Sequence, residues 1–288
     1  MSVRKFLLPV SSPASAAGAL QTGLMLAKRW NAHLQVLHIR SGQEFAPFVG
    51  EGMTGAMIED MMSATERATG ARERSLGELF TLAAEAADVP VGEALRGRDE
   101  PSASFTSFSG REDEVIAHRA RLADLTIVPH PQAGEDVATA DALHAVLFDS
   151  GRPVLLAPVA PQETLGKRVA IAWNGTANAA SALASVMPFV RQAEAVRILV
   201  CDQYRRPGPS GEDVVEYITH HGVTAELVQF YPRKGVTGAG LLAAAEDFGA
   251  DLMSMGAYST SSRLRQLILG GITRHVLEHA HLPVLMNR

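Results

Sequence analysis

Asp251-Leu-Met-Ser-Met-Gly-Ala-Tyr258, then Gly270-Gly271-Ile272-Thr273, then Pro283-Val-Leu-Met286, is the stretch that decides the fold. It reads as a short apolar strand, a glycine loop, a helix and a closing strand. Backbone N–H groups at a helix start lack intrahelical partners, and the helix dipole is positive there. Glycine lets an anion approach that backbone closely. The chemistry on offer is phosphate binding, which points to a nucleotide.

The same layout stands earlier in the chain. Asp124-Leu-Thr-Ile-Val128 matches Asp251 to Met255, and Gly151-Arg-Pro153-Val-Leu-Leu156 matches His281 to Met286. Lys5-Phe-Leu-Leu-Pro-Val-Ser-Ser12 resembles Arg168-Val-Ala-Ile-Ala-Trp-Asn-Gly175. Each opening is followed by an alanine-rich helix and a second strand, Leu34 to Ile39 and Val196 to Val200. This is a duplication of two domain-sized repeats.

Between the short strands run amphipathic patterns: Leu20, Leu24, Ala27; Leu183, Val186, Met187, Val190; Leu241, Leu242, Ala245, Phe248; Ile272, Val276, Ala280. Pro188 kinks its helix or marks the last turn. Apolar strands between such helices predict an α/β fold, two tandem doubly wound parallel sheets with right-handed crossovers. The turn-rich Pro158 to Gly166 divides the chain into domains 1–158 and 167–288. Gly42 to Gly55 reads as a loop. Met57, Met61, Ala64 and Ala68 open a helical pattern that continues through Leu76, Leu79, Ala83 and Ala87. Methionines at this spacing read as core or lid packing. Ser102 to Gly110, rich in Ser and Phe, reads as a mobile loop.

At 288 residues the chain fits two domains, each able to bury a core. The net charge of −5 favours neither nucleic acid nor an anionic membrane. One cysteine, Cys201, excludes an internal disulfide and a cysteine metal cage. It reads as a small buried hydrophobe. Phe6 to Val10 is too short for a signal peptide, and no apolar run approaches the ~20 residues that span a bilayer. Cytoplasm is the expected location.

Both halves resemble universal stress protein domains fused in tandem. The resemblance covers nearly the whole chain apart from about 41–110, and implies a Rossmann-like fold with the halves paired as an internal pseudo-dimer. The family's ATP-binding members carry Gly, two residues, Gly, nine residues, then Gly followed by Ser or Gly. Here Gly256-Ala-Tyr258 opens that motif and Gly270-Gly271-Ile272-Thr273 closes it. Ser259 stands for the second glycine, and ten residues precede Gly270.

The resemblance places a nucleotide at Ala172, Trp173, Asn174, Val200, Met255, Gly256, Tyr258, Gly270, Gly271, Ile272 and Thr273, with ATP, alone or with Mg²⁺, as the cofactor. Ligands of doubly wound sheets bind at the carboxyl ends of strands, where the strand order reverses. Asn174 replaces the family's Asp; it contacts ribose or base, or serves as a turn or N-cap residue. Val200 faces the base or simply packs. Gly270, Gly271 and Thr273 contact phosphates, or only start a helix. Arg263, Arg265 and Arg274 screen a triphosphate or form a solvated face. His275 and His279 have the i, i+4 spacing of helical metal ligands, yet a surface helix is the expected reading, and no metal site is assigned.

The first half looks closed to phosphate. Pro129 falls where Gly256 lies, Ala140 and Asp141 fall near the glycine pair, and Ser11 takes the place of the first-loop Asp. That half is read as a degenerate partner domain. No nucleophile–base–acid set appears, so no catalytic residue is assigned. Three readings follow in order. The first is an ATP-binding stress-response or regulatory protein, with nucleotide in the second half only. The second is a nucleotide-free interaction scaffold, and the third a slow nucleotide hydrolase. Expected partners are the nucleotide and a second copy or another protein.

Overall fold

The computed structural model describes residues 3–40, 55–92, 99–130, 137–160, 162–258 and 271–288. The first half runs β1 (Lys5–Val10), α1 (Pro13–Trp30), β2 (His33–Arg40), α2 (Gly55–Ala86), β3 (Ser102–Ser109), α3 (Glu112–Ala120), β4 (Leu125–Pro129), α4 (Val137–Asp149) and β5 (Val154–Ala157). The second runs β6 (Arg168–Ala172), α5 (Ala177–Val190), β7 (Ala195–Val200), α6 (Gly211–His220), β8 (Ala225–Gln229), α7 (Thr237–Phe248), β9 (Leu252–Gly256), α8 (Ile272–His279) and β10 (Val284–Asn287).

The described strands form one sheet in the order β3-β2-β1-β4-β5-β10-β9-β6-β7-β8. Each half contributes the same five-strand order, and the two meet at the closing strands. All pairs are parallel except β5 with β10. There Leu155 pairs with Leu285, flanked by Val154 with Met286 and Leu156 with Val284. These six residues are the matched pairs of the two repeats, so a pseudo-two-fold axis passes through the Leu155–Leu285 pair. The halves form the internal pseudo-dimer that the duplication implies, without a second chain.

Alternation along the strands sends side chains to two separate cores. Phe6, Leu8, Leu34, Val36, Val169 and Ile171 pack with α1, α2 and α5 on one face. Leu7, Val128, Leu156, Ala170, Met253 and Met286 pack with α3, α4, α7 and α8 on the other. Parallel strands covered on both faces are apolar throughout, as these are.

The repeated Ala-Asp-Leu has a structural task. Asp251, 9% exposed, accepts from the amides of Gly166 (2.9 Å), Lys167 (3.0 Å) and Arg168 (2.8 Å). Asp124 accepts from the amides of Arg4 (2.7 Å) and Lys5 (3.0 Å). Each carboxylate pins the start of its half's first strand with charge-assisted bonds.

Two expectations are corrected. Ser102 to Gly110 is not a loop: Ser102–Ser109 is the edge strand β3, paired residue by residue with β2. The strand is mostly half-buried: Ala103 and Phe105 pack on one core and Phe108 on the other, while the Ser102 and Ser104 hydroxyls meet the His33 ring. The methionines of α2 are not core residues: Met57, Met61 and Met62 are 53%, 42% and 54% exposed. The docked part of that helix is its C-terminal half, through Leu76, Phe80 and Ala84. Pro188 lies in the last turn of α5. The loop expected before α2 lies, over residues 42–54, outside the described residues.

Candidate functional site

β6 and β9 are neighbours, with Ala172 paired to Met255. Their loops therefore leave the sheet side by side at its carboxyl end. Ala172 (7% exposed) and Met255 (2%) belong to the core beneath the site, and Trp173 (6%) to the opposite core. The Trp173 indole Nε1 donates to the Pro209 carbonyl at 2.9 Å.

Asn174 is buried at 5% exposure. Its Oδ1 accepts from the Thr176 amide (3.2 Å) and the Thr176 hydroxyl (2.8 Å). That is an Asx turn leading into α5, whose N-cap is Thr176. The structure thus shows the turn role for Asn174. Its carbonyl accepts from the Arg206 amide at 2.9 Å. Gly175 holds φ +85°, and a Cβ on Gly208 would lie 2.0 Å from the Gly175 carbonyl oxygen. The segment after β7 therefore closes onto the segment after β6, and only glycine fits at the crossing. Burial pushes the Tyr204 hydroxyl pKa up, opposed by Arg206 and by a hydrogen bond from Asn174. Val200, half-buried, packs beside the α5–α6 core.

Gly256 ends β9 against the first turn of α5. A Cβ there would come within 2.5 Å of the Ala179 nitrogen. Close packing of helix on strand is enough to require this glycine. Asn178 Nδ2 then donates to the carbonyls of Ala257 (2.7 Å) and Tyr258 (2.9 Å), fixing the loop.

Tyr258 has φ +49°, and its amide donates to Thr273 Oγ1 at 3.4 Å. This contact brings the start of α8 to the end of β9. Gly271 is the N-cap of α8, with φ −127° and no side-chain cap, and no acidic residue stands in the first turn. Gly271 and Ile272 line a cavity of about 450 Å³, together with Gly235, Val236, Thr237 and Gly238. Those four residues open α7, whose N-cap Val236 also lacks a side-chain bond. Among the described residues, two helix starts without a side-chain cap thus border one cavity. Arg274, on its wall, is tied to Glu278 at 2.6 Å. His275 and His279 stack, ring centroids 4.2 Å apart, and His279 Nδ1 meets the His275 carbonyl at 3.0 Å. Burial, then His279, lowers the His275 pKa, with Glu278 opposing. Among the described residues no three His, Cys, Asp or Glu side chains converge as metal ligands.

The first half reaches into this site. Tyr258 OH lies 3.1 Å from His144 Nε2 on α4, and its ring packs on Phe148 with centroids 5.2 Å apart. Burial raises the Tyr258 pKa. Sequence reasoning missed His144, because nothing local links residues 114 apart. It also missed Thr176 and Asn178, although a Thr before an alanine run is an N-cap signal. Gly270, Ser259, Arg263 and Arg265 lie outside the described residues.

Fold and site define a tandem doubly wound α/β protein with a glycine-lined crevice at the strand ends of its second half. Residues 167–288 match the universal stress protein family, so the second half is a universal stress protein domain. The whole chain has the fold of a universal stress protein from Archaeoglobus fulgidus DSM 4304, at a TM-score of 0.64 and 16% identity, covering 100% of this chain and 99% of that one. A universal stress protein structure from Pseudomonas aeruginosa UCBPP-PA14 gives 0.55 and 14%, over 99% and 93%. At such identities the likeness is one of fold. No curated protein sequence matches the chain. No described helix is long and apolar enough to cross a membrane.

Proposed function

We propose that this protein binds an adenine nucleotide, ATP, in its second half only, and acts as a regulatory rather than a catalytic protein. The observation that carries the reading is the uncapped α8 N-terminus at Gly271, held to the end of β9 by the Tyr258–Thr273 bond and open to a cavity. Bare amides at the positive end of a helix dipole are matched to phosphate. Gly271 and Thr273 would hold the phosphates, and the Ala172–Asn174 loop and Val200 would border the nucleoside. Mg²⁺, where present, would come with the phosphates.

A ligand that binds only the native state stabilises it by mass action. ATP therefore raises the melting temperature, and calorimetry gives one ATP per chain. Two equivalent sites would overturn the second-half-only assignment. Steady-state hydrolysis at ~1 s⁻¹ or faster would move the protein among ordinary enzymes.

One observation favours the scaffold reading. The Asn174 side-chain oxygen is consumed by Thr176, and the Arg206–Pro209 segment lies closed on Asn174 and Gly175. On that reading ATP at millimolar concentration leaves the melting temperature unchanged, and mass spectrometry of protein purified without added nucleotide finds none bound.

A further inference from the structure

α2 carries more helix than its domain uses. No residue from Ala56 to Ser75 is buried, whereas Leu76, Phe80 and Ala84 are. A helical stretch of about 20 residues with little tertiary packing is marginal in water. Gly70, Thr65 and Thr69 weaken it further.

Its outer surface is patterned. Met57, Met61, Ala64, Ala68, Ala71 and Ser75 follow alternating steps of four and three, a coiled-coil seam. All six are exposed, and Leu82, seven residues on, is 64% exposed on the same line. The seam is distinct from the inner line of Ile58, Thr65, Thr69 and Glu73, which is half-buried. Methionine is adaptable and suits association surfaces.

The charges say what covers it. Glu59 and Asp60 stand at one end of the arm, and Arg67, Arg72 and Arg74 toward the other, where Glu66 adjoins Arg67 and Glu73 is paired with Arg40 at 3.8 Å. Among the described residues neither Asp60 nor Arg74 is in an ion pair within the chain. We propose that the occupant is the same arm of a second copy, packed antiparallel about a two-fold axis between Ala64 and Ala68. Met57 then faces Ser75, Met61 faces Ala71, and Ala64 faces Ala68, large on small in each outer layer. Asp60 faces Arg74 of the second copy, twice, because the contact is isologous. The two copies of Arg67 flank the axis, each next to its own Glu66. The β5–β10 edge, where two separate domains could have met, is already consumed inside this chain.

The test is sedimentation of the full chain up to ~100 µM, a range that covers transient interfaces as well as stable ones. A species of twice the chain mass is expected; a monomer throughout overturns the proposal. Asp60→Arg and Arg74→Asp should each weaken the dimer about 10-fold, and the two together should restore it. A double variant that stays weak overturns the antiparallel register. Ala64→Glu, at an exposed helical position, should give monomer, with any loss of helix content confined to the arm of about 20 residues. An intact dimer in that variant moves the interface elsewhere. A chain with Met61→Cys and Ala71→Cys provides a readout free of stability changes. These residues are ~15 Å apart along one helix, so they cannot bond to each other within it. Oxidation should yield a covalent dimer, and failure to cross-link contradicts the seam.

Discussion

The two halves share a sheet order and differ where a ligand would sit. β4 ends in Pro129 and β9 in Gly256. Val200 follows the end of the β6–β7 ladder, and its counterpart is His38, 3% exposed, with Nδ1 at 3.1 Å from the Val10 carbonyl. Counting back from Pro153 and Pro283, Asp141 takes the place of Gly271. Asp141 is the fifth residue of α4, whereas Gly271 lies just outside α8. A fifth helical residue gives its amide to the carbonyl four residues back. The first half has thus spent, on an extra turn of helix, an amide that among the described residues of the second half stands at an N-cap without a side-chain partner. A site can be removed by lengthening a helix as well as by losing a glycine.

The largest expected contrast is steric. Gly256→Ala should cost about 3 kcal/mol, because the new Cβ meets α5 backbone, which cannot yield cheaply. Pro129→Ala at the matching place should cost about 1 kcal/mol, that of a small cavity. Urea denaturation of both variants checks this, and equal costs would mean that the two strand ends are packed alike.

Gly271→Asp sharpens the functional contrast, since it installs the first half's residue. Its φ of −127° is open to any residue, and Asp is a good N-cap. The apo protein should keep or raise its melting temperature. ATP affinity should fall at least about 100-fold, roughly 2.7 kcal/mol, by repulsion of the phosphates. Calorimetry that finds unchanged affinity would put the phosphates elsewhere.

Acid should act on the first half. Where the second half has Ala257, the first has His130, 2% exposed, and burial followed by the nearby His281 lowers its pKa to about 4. The unfolded value is 6.5, so protons bind the unfolded chain more readily. This group's share of stability is therefore present above pH 6.5 and is lost as pH falls toward 4. The loss between pH 7 and 4.5 should be about 2 kcal/mol. His130→Ala should flatten that part of the stability–pH curve; an unchanged slope would assign the acid sensitivity to other groups.

The smallest effect tests the link between the halves. Tyr258→Phe removes the hydroxyl's hydrogen bond with His144, keeps the ring contact, and should cost about 1 kcal/mol. The Phe148 contact is kept, so any loss of ATP affinity reports on loop position rather than on packing. A double cycle with His144→Ala that shows no coupling would mean that the two halves touch there without consequence.

Much of this was legible in residues alone. The duplication, the parallel α/β order and, to within a residue at each end, the places of β1, β2, β4 and β9 follow from short apolar runs between amphipathic patterns, because burial on both faces demands them. Ser102–Ser109 was not legible as a strand, since an edge position relaxes the apolar requirement. Nor did the α2 methionines show their exposure: a helical period says which residues share a face, and only the neighbours say whether that face is covered. Asn174 was read with both a ligand role and a turn role, and the hydrogen bonds to Thr176 show the turn.

The sequence by itself determined the two repeats and the glycines, since periodicity and backbone freedom are local properties. The tertiary structure decided which glycine serves packing, as Gly256 does against Ala179. It also decided that β5 and β10 join the halves into one sheet, and that His144 of one half meets Tyr258 of the other. Those contacts arise between residues far apart in the chain, where distance is set by the packed sheet and not by any spacing along it.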